Sequence, residues 1–177
     1  HGGQQARNRK SSYTVRKKIL QEKATHSDSE EFISSLELEI FLDPVDQFNI
    51  QRVHELFAKT NQFNSTTKKY SLSEIQEEIG KRLIVIGSAD RFSTRETIGV
   101  LEVDWASLES TPNVIVESWL MSCRILGRGL EEELFCWLNR KALEKAKSSV
   151  LWKFQLTGRN QPVHKLYKRL CDHSNGS

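Results

Sequence analysis

The stretch that decides the fold of this 177-residue chain is Val114-Ile-Val-Glu-Ser-Trp-Leu-Met-Ser-Cys-Arg124. This apolar run predicts a buried strand, and it leads into the glycine turn Arg124-Ile-Leu-Gly-Arg-Gly129. A helical pattern begins directly afterwards, at Leu130. A strand, a glycine-rich turn and a helix N-terminus can together bind phosphate, because glycine lets the backbone approach the anion and free helix N–H groups point at it. The same turn is equally compatible with a simple connection in which glycine supplies a positive φ.

The hydrophobic pattern of the chain predicts strands and helices in the order β-α-α-β-β-β-α-β-α. Alternation of apolar and polar residues indicates the first strand, whereas apolar spacings of three and four residues indicate the helices. A capping box, Ser71-Leu-Ser-Glu74, predicts the start of the second helix. The predicted strands are 36–42, 83–86, 97–103, 114–123 and 150–156, and the predicted helices are 50–58, 71–80, 130–146 and 160 onward.

Charge is distributed unevenly along the chain. Residues 1–25 carry a net charge of +6, whereas the remainder carries −3. The basic residues therefore indicate a charged leader rather than a nucleic-acid-binding domain, and no aromatic residues interleave with them to stack on bases. We expect one domain at 26–171, preceded by this linker or leader at 1–25, of which 1–3 is a cloning remnant, and followed by a disordered tail at 172–177.

The sequence also indicates a compartment. It has no apolar run long enough to span a membrane and no secretory signal. Its three cysteines lie far apart and its histidines are not clustered, so we expect neither a disulfide framework nor a metal site. We therefore predict a cytoplasmic protein with no metal and no membrane or nucleic-acid partner.

The glycine turn resembles the [QR]-x-x-G-x-[GA] pyrophosphate loop of the GCN5-related N-acetyltransferase (GNAT) fold, which holds the pantetheine and diphosphate of coenzyme A. In that fold the loop follows the fourth strand, as it does in the predicted order. The resemblance implies an α+β fold with a mixed, mostly antiparallel sheet flanked by helices. After Leu170 the fold continues with a final strand or two, whereas this sequence reads Cys171-Asp-His-Ser-Asn-Gly-Ser177. We therefore expect the last strands to be missing or supplied by a partner chain, which leaves an open sheet edge where a second copy could pair.

Two longer motifs narrow the resemblance. The segments 59–71 and 122–128, with the entry Ser35–Glu39, resemble the C-terminal region of FkbH-like proteins over residues 28–168. In that family a phosphatase part of the haloacid-dehalogenase (HAD) type precedes a GNAT-like part. The family takes a glyceryl unit from 1,3-bisphosphoglycerate, removes phosphate and delivers the unit to the phosphopantetheine thiol of an acyl carrier protein. This sequence contains no D-x-D-x-[TV] phosphatase motif, so we expect it to supply only the acyl-transfer part, beside an upstream HAD-like domain.

The resemblance implies a binding site for the phosphopantetheine of a carrier protein or for coenzyme A. Backbone amides at the turn would hold phosphate, an arginine would pair with it, and an asparagine before the last helix would contact pantetheine. The acidic run that follows the turn suits the helix dipole but competes with a bound anion. The implied residues are Arg124, Gly127, Arg128, Gly129, Leu130 and Asn160.

Cys123 is the candidate nucleophile. It stands between the apolar run and the turn, where GNAT folds hold the acyl thioester. A thiolate there would accept the glyceryl group and pass it to pantetheine by thioester exchange, which costs little free energy because both sides are thioesters. The alternative from the residues alone is a buried core cysteine at the end of a strand.

Further candidate residues surround this thiol. Tyr167 follows Asn160 at the GNAT spacing N-x6-Y and would protonate the leaving thiolate, unless it only adds to the apolar helix face. Glu117 shares strand parity with Cys123 and would act as a general base if no bulge intervenes, with His54 a weaker candidate. A polar segment borders the acceptor site in GNAT proteins, and the residues expected to bind a glyceryl diol, or else only to cap their own loop, are Asn61, Gln62, Asn64, Thr66 and Thr67.

Three functions remain open at this point. The first is the acyl-transfer half of a glyceryl-loading enzyme. The second is a coenzyme A-dependent N-acetyltransferase of the same fold. The third is a non-catalytic GNAT-like module that docks a carrier protein.

Overall fold

The computed structural model describes residues 37–105 and 110–174. Within these residues the elements follow the predicted order β-α-α-β-β-β-α-β-α, which is thereby confirmed. The strands are β1 (Glu39–Pro44), β2 (Leu83–Asp90), β3 (Ser93–Asp104), β4 (Asn113–Met121) and β5 (Ser149–Trp152). The helices are α1 (Ile50–Lys59), α2 (Leu72–Glu77), α3 (Leu130–Glu144) and α4 (Gln161–Ser174).

The strands form one five-stranded sheet in the order β1-β2-β3-β4-β5. β3 and β4 are antiparallel, whereas β4 and β5 are parallel, so the sheet is mixed and flanked by helices as predicted. By their contacts the described residues divide into two compact units, 37–40 with 88–96 and 41–87 with 97–105 and 110–174. All the residues of the candidate site lie in the second unit.

Helix α1 shows how the core forms. Its apolar residues recur at intervals of three and four, so that one stripe of the helix is buried and the other faces remain polar. This stripe packs in one cluster with Leu83, Val100 and Leu120 from the sheet. Burying each such aliphatic side chain stabilises the fold by about 1.5–3 kcal/mol before entropy is subtracted. The buried residues of the stripe are Ile50, Val53, Leu56 and Phe57.

Helix α2 begins at the predicted capping box. The Ser71 hydroxyl accepts a hydrogen bond from the Glu74 backbone N–H at 3.3 Å, and the Glu74 carboxylate accepts one from the Ser71 N–H at 2.8 Å. The helix ends at Glu77, three residues before the predicted end, because the chain turns there and Gly80 takes a φ of +70°. The capping prediction is confirmed and the length is corrected.

Two other boundaries differ from the prediction. β5 ends at Trp152 rather than near residue 156, because the chain after it bonds to another segment of the molecule. Helix α4 extends to Ser174, so the tail expected from residue 172 is helical at its start. The leader at 1–25 lies outside the described residues.

Candidate functional site

The glycine turn connects β4 to α3 as the sequence predicted. β4 ends at Met121, and the Ser122 N–H donates to the carbonyl of Ile98 at 2.7 Å, which fixes the exit of the chain from the sheet. Gly127 and Gly129 have φ values of +76° and +82°, a region that side-chain-bearing residues rarely adopt. An added Cβ would meet no atom within 4 Å at either glycine, so backbone conformation and not crowding requires them.

One backbone amide of this turn is engaged by the chain itself. The Gly127 N–H donates to Glu131 Oε1 at 2.8 Å, and Glu131 is only 5% exposed on the first turn of α3. Its other oxygen, Oε2, is buried and accepts a hydrogen bond from no described residue. Oε2 is an acceptor that lacks a donor. A phosphate bound at the turn would add further acceptors and place a negative charge beside the Glu131 carboxylate.

Cys123 is exposed in the turn that follows β4. The neighbouring Arg124 side chain is also exposed and donates from Nε to Ser122 Oγ at 3.4 Å. The alternative of a buried core cysteine is therefore corrected, because the strand ends two residues earlier than its apolar run suggested. Cys123 is a solvent-accessible thiol beside the glycine turn.

Glu117 does not share the face of the strand that the sequence argument assumed. In the pairing of β3 with β4, Glu102 lies opposite Ser118 and Val103 lies opposite Val116, so Glu117 is the extra residue at a bulge. A bulge shifts the alternation of side chains, and the parity between Glu117 and Cys123 is lost. The Glu117 carboxylate instead pairs with Lys153 Nζ at 2.7 Å.

The last helix carries the other predicted acid. Tyr167 is 40% exposed on α4, and its ring stacks on Phe154 with centroids 5.9 Å apart and an angle of 6° between the planes. The His164 ring stacks on the same Phe154 at 5.8 Å. Tyr167 thus lies at the surface of an aromatic cluster rather than in the buried stripe of its helix.

The segment Phe63–Ser65, hereafter the insert, lies between β4 and the chain that follows β5. β4 and β5 pair directly up to Val116 and Trp152, and the last bond runs from the Lys153 N–H to the Val116 carbonyl at 2.9 Å. Beyond that point the Ser65 N–H donates to the Trp119 carbonyl at 2.9 Å. The Ser65 carbonyl accepts from the Gln155 N–H at 2.8 Å. The insert therefore fills the gap between the two diverging chains, hereafter the groove, as an additional strand would.

Asn160 holds the insert from the other side. Its side chain is fully buried and donates from Nδ2 to the Asn64 carbonyl at 3.0 Å and to the Gln155 carbonyl at 2.8 Å. Its Oδ1 accepts from the Thr157 N–H at 2.8 Å. The residue expected to contact pantetheine has its hydrogen-bonding groups engaged within the chain.

An open cavity of about 190 Å³ brings together part of the predicted substrate segment. Sequence reasoning found three of its residues and missed the two from the connection between β5 and α4. The turn-forming string Thr157-Gly-Arg-Asn160 before α4 was the signal that could have found them. Gln62 and Thr66 do not line the cavity; Thr66 Oγ1 instead bonds to Ser118 Oγ at 3.2 Å. The lining residues are Asn61, Asn64, Thr67, Thr157 and Arg159.

A buried carboxylate behind the insert had no sequence signature. Glu102 on β3 is fully buried and accepts bonds from Lys68 Nζ at 2.9 Å and from the Tyr70 hydroxyl at 2.8 Å. Arg82 lies 3.8 Å away. Burial is the main cause that raises the pKa of Tyr70 to about 12, and the hydrogen bond to Glu102 and its charge add to it. The neighbouring Lys68 acts in the opposite direction. Burial alone would lower the pKa of Lys68, but its bonds to Tyr70 and Glu102 raise it overall. The cluster ties residues 68–70 to the sheet.

Among the described residues, no group of three or more histidine, cysteine, aspartate or glutamate side chains is arranged to hold a metal ion. In the same part of the chain no helix has the length and apolar character needed to cross a bilayer.

The resemblance implies that pantetheine lies between the two splayed strands and that the diphosphate lies at the glycine turn. In this structure the insert occupies the space between the splayed strands. At the glycine turn, the Gly127 amide donates a hydrogen bond to the Glu131 carboxylate. The residues present therefore do not fit coenzyme A in the groove.

No protein-family model matches the sequence, and no curated protein matches it. Solved structures do match. Ard1 from Thermoplasma volcanium has 15% identity and a TM-score of 0.53, with 74% of this chain and 80% of that chain covered. The ribosomal-protein-alanine N-acetyltransferase from Brucella melitensis biovar Abortus 2308 has 15% identity and a TM-score of 0.52, with coverages of 75% and 89%.

A third match is the aminoglycoside N-acetyltransferase AAC(6')-Iy, solved in complex with CoA. It has 12% identity and a TM-score of 0.51, with 75% of this chain and 87% of that chain covered. At such identities the likeness concerns the fold alone. The chain has the GNAT-like fold that its glycine turn and element order predicted.

Proposed function

We propose that this domain is an acyltransferase of the glyceryl-loading kind, which passes a glyceryl group through Cys123 to the phosphopantetheine thiol of an acyl carrier protein. The observation that carries the proposal is the exposed thiol of Cys123 at the end of β4. An exposed cysteine can meet both a donor and a carrier-bound thiol at the surface. The FkbH-like motifs of the sequence supply the identity of the acyl group.

The proposed transfer has two balanced steps. The Cys123 thiolate attacks the C1 carbonyl of 1,3-bisphosphoglycerate, so that a C–S bond forms, the acyl-phosphate C–O bond breaks and the C1 phosphate leaves. The phosphate on C3 is removed separately, by hydrolysis of its ester in the upstream HAD-like domain, which leaves the glyceryl group. The thiolate of the carrier arm then attacks the same carbonyl, and Cys123 leaves as a thiolate that takes up the proton lost by the arm. Both steps use a carbonyl outside the groove.

The glyceryl hydroxyls have a matching surface. The open cavity presents side-chain amides and hydroxyls from Asn61, Thr67 and Thr157, together with the cationic Arg159. Amides and hydroxyls bond to a diol, and a guanidinium pairs with a phosphate on the three-carbon unit. We propose this cavity as the subsite for the donor.

The filled groove favours this route over a coenzyme A-dependent N-acetyltransferase. An enzyme of that kind holds its donor between the splayed strands, where this chain holds the insert. Transfer through Cys123 needs only that the two acyl partners reach an exposed sulfur. The AAC(6')-Iy structure with CoA is the reason to include acetyl-coenzyme A in the test.

Intact-mass spectrometry tests the proposal. The purified chain is incubated with a glyceryl thioester of a small thiol and, separately, with acetyl-coenzyme A and a panel of amines. We expect a gain of one glyceryl group, which is lost in Cys123→Ala and released when a carrier protein with its phosphopantetheine arm is added.

Cys136→Ala is the matched control, because Cys136 is also exposed but lies on α3. We expect this variant to form the adduct as the wild type does. An adduct that survives Cys123→Ala would contradict the proposal. Amine acetylation without any adduct would favour the N-acetyltransferase, and carrier binding without adduct or turnover would favour a docking module.

A further inference from the structure

We infer that the insert closes the groove as a permanent part of this fold, so that the domain takes neither coenzyme A nor a pantetheine arm between β4 and the chain after β5. The inference goes beyond the proposed transfer, which takes place at the exposed Cys123 thiol. It rests on the bonds that the insert makes with both walls of the groove, on the anchors next to it and on the occupied glycine turn.

The insert bonds to both walls through its backbone. Asn64 forms an antiparallel bridge with Leu120, and the Met121 N–H donates to the Phe63 carbonyl at 3.0 Å. On the opposite wall the Gln155 N–H donates to the Ser65 carbonyl. An extended ligand that entered the groove would have to replace this pairing bond for bond, because buried backbone groups are almost always paired.

The side chains of the insert are matched to the walls as well. The Phe63 ring is 1% exposed and meets the Trp119 ring edge-on with centroids 5.1 Å apart. Ser65 is 4% exposed, and its Oγ accepts from the Trp119 N–H at 2.9 Å. Withdrawal of the insert would expose the Phe63 ring and leave the backbone N–H of Trp119 without its bond to Ser65 Oγ. The insert is therefore packed as a core element and not as a surface loop.

The residues next to the insert are anchored independently. Lys68 Nζ contacts both carboxylate oxygens of the buried Glu102, at 2.9 and 3.0 Å. Thr66 bonds to Ser118 on β4, and Thr67 Oγ1 donates to Gln155 Oε1 at 3.4 Å. For the insert to swing out of the groove, these anchors would have to break together. A hinge at this place would instead need weak, solvent-exposed contacts.

One amide of the glycine turn is engaged in a similar way. Where the resemblance implies a diphosphate, the Glu131 carboxylate accepts from the Gly127 N–H. The chain thus supplies its own substitute for each half of a coenzyme A molecule, an extended backbone for the pantetheine arm and a carboxylate for the phosphate. Both features are unfavourable to coenzyme A in this GNAT-like fold.

Amide hydrogen exchange read by NMR tests the inference. The probes are the N–H groups of Ser65, Met121 and Gln155, and the reference is the Lys153 N–H, which bonds β4 to the chain after β5 directly. We expect the probes to exchange within about tenfold of the reference, as core amides do. Exchange about a hundredfold faster would show that the insert opens and would overturn the inference.

Titration with coenzyme A, and separately with 4'-phosphopantetheine, completes the test. We expect neither probe to shift the Ser65 or Met121 resonances at concentrations up to about 1 mM. The Glu131→Gln variant removes the charge at the turn and keeps the insert, so we expect the same result from it. A saturable shift of these resonances in either protein would overturn the inference. The Cys123 adduct is measured separately, so failure of the proposed transfer would leave this result unchanged.

Discussion

The two segments that flank the end of β4 differ in almost every respect. The insert has a buried ring and paired backbone groups, whereas the turn at 122–129 has a glycine pattern, exposed residues and two left-handed glycines. The motif indicates the connection between β4 and α3, since a strand-to-helix turn of this shape needs glycine. What fills the groove is decided by the insert, through bonds that join residues far apart in the chain. A phosphate-loop pattern is therefore evidence for a fold before it is evidence for a ligand.

Glu102→Ala tests the anchored side of this comparison and should have the largest effect. The substitution leaves Lys68 and Tyr70 without their common partner beside a buried space, which we expect to cost about 3 kcal/mol of unfolding free energy. Urea denaturation measures the change. Amide exchange at Ser65 should accelerate with it, because the anchor next to the insert is lost.

Glu55→Ala is the control for Glu102→Ala. Glu55 pairs with Arg52 at 3.1 Å and with Lys59 at 3.6 Å on the exposed side of α1, so its loss should cost less than about 1 kcal/mol. Equal costs for the two variants would contradict the distinction between a buried anchor and a surface pair.

Asn160→Ala should rank second. It removes the donor to the Asn64 and Gln155 carbonyls and leaves the buried Asn64 carbonyl unpaired, at a cost of about 2 kcal/mol. Asn139→Ala is the matched control, because the Asn139 amide donates to the Phe135 carbonyl within its own helix. Thermal unfolding should show a clear loss for the first variant and little for the second. If Asn160→Ala were as stable as the wild type, the groove would not be held from this side.

The fold could be predicted because its signals are local. The capping box at Ser71, the apolar stripe of α1 and the glycine turn each depend on residues close in sequence. The filling of the groove could not be predicted, because the bonds of Ser65 join residues that are far apart in the chain. Polar residues at 61–67 suggested a surface that binds hydroxyls, and only the structure reveals that Asn64 and Ser65 are buried. The bulge at Glu117 escaped prediction for the same reason, since pairing with β3 creates it.

Gly129→Ala tests the turn and should cost less than either buried substitution. The φ of +82° is unfavourable for alanine, whereas a Cβ would meet no neighbour, so we expect a loss of about 1 kcal/mol from backbone strain alone. Gly158→Ala, where a Cβ also has open space, should be neutral. Exchange at the Ser65 N–H should not change in Gly129→Ala. A change there would mean that the turn and the insert are coupled.

Tyr70→Phe should have the smallest effect near neutral pH and its clearest effect in alkali. The folded pKa of about 12 lies above the value of about 10 for an unfolded tyrosine, so the contribution of Tyr70 to stability is complete below pH 10 and is lost as the pH rises through 12. The raised pKa of Lys68 acts in the same direction. The wild type should therefore lose unfolding free energy between pH 10 and 12 more steeply than Tyr70→Phe, as measured by urea denaturation at a series of pH values. If Tyr70→Phe kept the wild-type slope, the hydroxyl bond to Glu102 would not be part of what anchors the insert.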